Sequence, residues 1–133
     1  SIRRQRQMCI RDSILLVGQV ASENLKIKAT AETRKLKKVK DGEVYNYLRV
    51  APPTTILART NDAYITTKVK TKLIASGLSK KNDVHKRKIK VLTEDGTVYL
   101  MGIIEESDSE NIIELVKSVY GVRQIVNLLI RLN

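Results

Sequence analysis

The sequence predicts an α+β fold built on a repeated unit, and three observations carry that prediction. Two stretches copy one another. Leu16-Val17-Gly18 leads into a helix-like run and then Val44-Tyr45-Asn46-Tyr47-Leu48-Arg49. About 80 residues later, Leu100-Met101-Gly102 leads into a similar run and then Ile125-Val126-Asn127-Leu128-Leu129. Asp95-Gly96 stands between two strand-like runs and is the strongest short hairpin signal, because both central residues of a type I′ turn need positive φ. Apolar residues elsewhere recur at helical spacing. The chain has 133 residues, so each unit would hold roughly 60–70 residues around a modest core.

Residues 1–13, SIRRQRQMCIRDS, show no amphipathic period. Met8-Cys9-Ile10-Arg11-Asp12-Ser13 resembles the conceptual translation of a transposase adapter. Residues 1–13 are therefore expected to be a non-native segment, to be set aside in reasoning about the fold. Cys9 is the single cysteine, which excludes an intrachain disulfide. Ile14 to Gln19 reads as a strand. Ser22 caps a helix with Leu25, Ala29 and Leu36 along one side, and Asp41-Gly42 closes it. Glu43 to Val50 is the unit's last strand. Residues 14–50 thus make a partial first domain that lacks a front helix and an edge strand, and they are expected to be the less stable half. Pro52-Pro53 opens a linker over residues 51–60.

Residues 61–133 hold the complete unit. Asn61-Asp62 offers a helix N-cap. Ile65, Val69 and Leu73 follow at i, i+4 and i+8 on one face. Gly77 is a stop signal, and Ser79 to Asp83 is a polar loop. Ile89 and Val91 alternate with Lys88 and Lys90 in a strand that enters the Asp95-Gly96 turn. Thr97 to Gly102 returns. Ser107 and Glu110 have the spacing of a capping box. Ile112, Val116 and Val119 form a second stripe, Gly121 stops the helix, and Val122 to Leu132 is the last strand. A strand–helix–strand crossover is right-handed and leaves its strands parallel. The hairpin is antiparallel. The expected sheet is therefore three-stranded and mixed, with two helices on one face in the order αββαβ.

Three segments of the second unit resemble the BON domain family. Asn61-Asp62-Ala63-Tyr64-Ile65-Thr66-Thr67-Lys68-Val69 resembles its opening helix. Asp95-Gly96-Thr97-Val98-Tyr99-Leu100-Met101-Gly102 resembles its hairpin and central glycine. Val119-Tyr120-Gly121-Val122 resembles its V-x-G-V signature. The resemblance, to tandem BON units, covers nearly all of residues 14–133. It implies a periplasmic, outer-membrane-associated, lipid-anchored protein that binds anionic phospholipid and supports envelope integrity, with envelope proteins as further partners. Departures are the absence of a signal peptide and lipidated cysteine from this chain, and Tyr64 where tryptophan is more usual.

Composition points the same way. The net charge is +11 and the sequence pI about 9.9, a balance that favours polyanions. Hydrophobic residues make up 42% and charged residues 29%, a globular composition, while five Tyr with no Trp or Phe leave the core to Ile, Leu and Val. Lys26, Lys28, Arg34, Lys35, Lys37, Lys38 and Lys40 crowd the first unit. No run approaches the roughly 18 apolar residues of a membrane span.

Tyr64, Thr67, Lys68, Thr71 and Ile74 fall at i, i+3, i+4, i+7 and i+10, on the helix face away from Ile65, Val69 and Leu73. An aromatic, an aliphatic and a lysine on one exposed face suit a membrane interface, and these five are the candidate lipid-binding residues. Lys70, Lys72, Lys80, Lys81, Lys86, Arg87 and Lys88 are secondary basic contacts. The competing role for Tyr64 and Ile74 is packing against the other domain or a neighbouring helix.

No cofactor is expected. His85 is the only histidine and has no clustered partners at metal-ligand spacing. Asp83, His85 and a serine could be combined on paper, but no nucleophile elbow supports a triad. No Gly-rich phosphate loop is present. The chain reads as a non-enzyme. Charge alone would also suit a nucleic-acid-binding module, against which stand the lack of a helix-turn-helix, a GXXG clamp or an aromatic stacking platform. A scaffold binding envelope proteins is the third alternative.

Overall fold

A computed structural model describes residues 2–10, 13–36, 43–78 and 89–132, with side chains for all of these except 2–10 and 132. They fall into two compact units, Ser1–Thr55 and Ile56–Asn133, each with its own three-stranded sheet.

The first unit runs β1 (Ile2–Ile10), β2 (Ser13–Val20), α1 (Glu23–Arg34) and β3 (Val44–Val50). β1 pairs antiparallel with β2, and β2 pairs parallel with β3. The helical crossover between β2 and β3 is what makes a parallel pair reachable. α1 starts where Ser22 predicts: the Ser22 hydroxyl accepts from the Leu25 amide at 3.3 Å. Ile14, Leu16, Val20 and Leu48 form the core, with Leu25, Ala29 and Val44 packed against it. Asn46 ties α1 to β3. Its Nδ2 donates to Lys26 O at 2.6 Å and to Thr30 Oγ1 at 2.7 Å.

Two expectations for this unit are corrected. An edge strand is present, because Ile2–Ile10 pairs along β2. Ladder bonds come from the backbone, so a polar, basic segment without alternation can still pair. Leu36 does not join the core. The helix ends at Arg34, and Leu36 lies beyond it, 41% exposed. The Asp41-Gly42 stop lies outside the described residues, as do Lys37, Lys38 and Lys40.

The second unit runs α2 (Ile56–Ala75), β4 (Lys90–Glu94), β5 (Thr97–Glu105), a 3₁₀ turn (Glu106–Asp108), α3 (Ser109–Lys117) and β6 (Gln124–Leu132). β4 pairs antiparallel with β5, and β5 pairs parallel with β6. The mixed sheet is the expected one. Ile65, Val69 and Leu73 of α2 and Ile112 and Val116 of α3 share one core with Ile89, Val91, Val98, Leu100 and Ile104. The hairpin turn has Asp95 at φ 50° and Gly96 at φ 79°, the conformation its sequence called for. Gly121, at φ 98°, follows α3; a Cβ there would stand 3.2 Å from Ile65 Cδ1. The glycine thus serves both the turn and the close approach of α2.

Two helix starts differ from expectation. α2 begins at Ile56, so the linker shortens and Asn61-Asp62 does not cap it. Asp62 is inside the helix and only 2% exposed. Its carboxylate accepts from the Asp95 amide at 2.8 Å and the Gly96 amide at 2.9 Å. The short polar side chain that resembled a helix cap instead caps the hairpin turn across the fold. Ser107 lies within the 3₁₀ turn, and the N-cap of α3 is Asp108, which makes no side-chain cap bond. The 3₁₀ turn leads the chain from β5 straight into α3, so no capping box forms.

These contacts set two expectations for stability. Replacing Asp62 by Ala leaves two turn amides without their carboxylate, and urea unfolding should show a loss of about 2–4 kcal/mol, with a smaller loss for Asp62→Asn. A change within about 0.5 kcal/mol would show that the contact carries no stability. Each buried Ile, Leu or Val contributes about 1.5–3 kcal/mol, and the first unit's core has fewer of them among the described residues. Native-state hydrogen exchange should therefore be faster at Ile14 and Leu16 than at Val98 and Leu100. Equal protection would refute that ordering.

Candidate functional site

α2 holds both the inner and the outer surface of the candidate site. Its inner stripe is Asp62, Ile65, Val69 and Leu73, all buried. With the helix rolled that way, the side chains opposite must face out. All five candidate residues do so: Tyr64 is 52% and Ile74 47% exposed, and Thr67, Lys68 and Thr71 are exposed beside them. At 3.6 residues per turn the five span about 120° of the helix surface.

The early start of α2 lengthens this face. Ile56 and Leu57 are 82% and 79% exposed and were expected in the linker. Leu57, Tyr64 and Thr71 follow at seven-residue steps on one side of the helix. From Leu57 to Ile74 the face runs about 26 Å along the axis. That seven-residue step was present in the sequence upstream of Asn61, where Pro52-Pro53 obscured it.

The secondary basic residues divide. Lys70 is exposed on the shoulder of the face. Lys72 is half-buried, and its Nζ donates to Ser118 Oγ at 3.2 Å, which turns it toward α3. Lys80, Lys81, Lys86, Arg87 and Lys88 lie outside the described residues, as does His85.

The described residues include no group of three or more His, Cys, Asp or Glu placed to hold a metal ion. No described helix is long and apolar enough to cross a membrane. A groove of about 420 Å³ between α3 and the start of β6 is lined by Ile113, Lys117, Val122, Arg123, Gln124, Ile125 and Asn127. That lining has no carboxylate, histidine or cysteine to act as acid, base or nucleophile. The outer face of α2 can place an aromatic ring and aliphatic side chains against an apolar boundary while a lysine meets an anion.

The chain is 32% identical over 115 residues to the outer membrane lipoprotein DolP of Haemophilus influenzae, covering 86% of this chain and 56% of that protein. It is 27% identical over 118 residues to the 21 kDa hemolysin of Actinobacillus pleuropneumoniae, covering 87% and 56%. The chain thus spans about half the length of these relatives. Among solved structures, the C-terminal domain of CdsD, the structural protein of the type III secretion system of Chlamydia trachomatis, aligns with 92% of this chain and 53% of its own. Its sequence identity is 12% and its TM-score 0.43, too loose a likeness to bear on fold or role. Residues 61–132 match the BON domain, more than half of the chain and the second unit from the second turn of α2 through β6, and the chain therefore belongs to the BON domain family.

Proposed function

We propose that this chain is a non-enzymatic, envelope-associated module that docks on anionic phospholipid through the outer face of α2. Its architecture would be a complete BON unit preceded by a partial one. The observation that carries the proposal is the exposed Tyr64, Lys68 and Ile74 on a helix whose roll is fixed by buried Asp62, Ile65, Val69 and Leu73. An ordinary surface helix turns its polar side outward, whereas this one leaves large apolar side chains there. The net charge of +11 adds long-range attraction to an anionic surface.

The two parts of the face do different work. Tyr64 can sit at headgroup depth with its hydroxyl wet. Lys68 and Lys70 meet lipid phosphates, each worth about 1 kcal/mol near an anionic surface. A single short face binds weakly, so a lipid anchor would act together with it. The name of the Haemophilus relative, an outer membrane lipoprotein, supports placing such a chain at the outer membrane, on its periplasmic side.

Co-sedimentation with vesicles tests this directly. Phosphatidylglycerol vesicles should pellet the protein and phosphatidylcholine vesicles should not. Tyr64→Glu should reduce the pelleted fraction at least tenfold, since a carboxylate would have to enter the headgroup region of an anionic surface. Equal binding to both lipids, or undiminished binding by Tyr64→Glu, would sink the proposal. A salt-sensitive shift of RNA or DNA at micromolar protein, without vesicle binding, would favour nucleic acid instead.

A further inference from the structure

Resting on the docking of α2 to lipid, we infer that Tyr120 is a second membrane contact, supplied by the turn between α3 and β6. It is the most exposed of the large apolar side chains among the described residues, at 93%. The turn does not depend on its ring. Backbone bonds close it on both sides: the Val119 amide donates to Val116 O at 3.1 Å, and the Val122 amide to Val119 O at 3.4 Å. A small polar residue would serve the turn equally well, so the aromatic ring has no evident structural reason to be there.

Position gives it one. The turn is fastened to α2 on either side of Tyr120. Lys72 Nζ reaches Ser118 Oγ at 3.2 Å. Gly121 packs so closely that an added Cβ would lie 3.2 Å from Ile65 Cδ1 and 3.8 Å from Asn61 Nδ2. Around α2, Asn61, Lys68 and Lys72 fall within about 40° of one another, and Tyr64 follows about 40° further on. The turn therefore abuts the flank of α2 that leads to Lys68 and then to Tyr64. The backbone on either side of Tyr120 thus lies against the Asn61–Lys72 flank of α2.

That grouping fits a lipid surface. It combines two exposed aromatic rings, each with a polar tip, with an exposed lysine between them in helical position and turn order. Aromatic rings of this kind settle at the headgroup level while the ammonium meets phosphate. A second anchor on another element would fix the orientation of the unit on the membrane, which one helix alone leaves free to roll about its axis.

The chain contains no tryptophan, so Tyr64→Trp and Tyr120→Trp are each single-tryptophan reporters. Both should shift to shorter emission wavelength on titration with phosphatidylglycerol vesicles, and both should be quenched by brominated acyl chains. Tyr120→Ser should weaken vesicle binding roughly fivefold, with the loss persisting at high salt because it removes apolar contact and not charge. If the Tyr64 reporter responds and the Tyr120 reporter stays unchanged, the second contact is overturned while the α2 proposal stands. If neither responds, the α2 proposal itself fails. A Tyr120→Trp shift that follows protein concentration without vesicles would assign the turn to self-association and overturn the lipid contact.

Discussion

The carboxylate of Asp62 sets the geometry on which the second unit depends. It is buried inside α2 and holds the amides of Asp95 and Gly96, so it joins the first long helix to the tip of the hairpin. A buried carboxylate with two amide partners cannot shift far without leaving charge or donors unsatisfied. That fixes the roll of α2. Ile65, Val69 and Leu73 lie on the same side as Asp62 and enter the core. Tyr64, Lys68 and Ile74 are turned outward by the same constraint. The outer face of α2 is therefore a consequence of a contact on the opposite side of the helix.

A second contact reinforces the same end of that arrangement. Gly121 permits α2 to approach the α3–β6 turn closely at Ile65. The Arg123 amide donates to Gly96 O at 2.8 Å, so the same turn is bonded to the hairpin. Helix α2, the Asp95-Gly96 turn and the Val119–Val122 turn thus meet at one end of the unit. Thr66 and Thr93 add a hydroxyl contact of 2.8 Å between α2 and β4. Each of these joins segments far apart in sequence.

Much of this fold was legible because its signals are local. The Asp95-Gly96 turn, the Ile65-Val69-Leu73 stripe and the Ser22 cap sit in the structure as their spacing implied, whereas α3 ends at Lys117, so Ile112 and Val116 lie on the helix and Val119 is buried just beyond it, ahead of the expected stop at Gly121. The aligned asparagines behave alike: Asn46 Oδ1 accepts from the Leu48 amide at 3.1 Å, and Asn127 Oδ1 from the Leu129 amide at 3.0 Å. What misled was also local. Asp62 has the side chain of a helix cap, but its partners lie more than thirty residues downstream, where no window of sequence shows them. The polar segment Ile2–Ile10 pairs through its backbone, which leaves no side-chain pattern to detect. Of the site, the five residues of the α2 face were visible from helical periodicity. Ile56, Leu57 and Tyr120 were not, because the first two follow a proline pair and the third belongs to a turn with no period.

The large apolar side chains on the outer face of α2 are widely spaced, and its physics follows from that. Leu57, Tyr64 and Ile74 are spread along about 26 Å of helix with threonines between them, so no single point buries much apolar area. On a membrane such a surface would lie along the plane and enter only to headgroup depth. Apolar contact of this kind varies little with salt, whereas the lysine contribution is screened within about 10 Å at 0.1 M ionic strength. The two contributions are therefore separable. In the proposed docking, charge would bring the module to an anionic surface, and the aromatic and aliphatic side chains would decide how it rests there. A buried aspartate that fixes helix roll would in this way govern the orientation of the unit at the membrane without touching lipid.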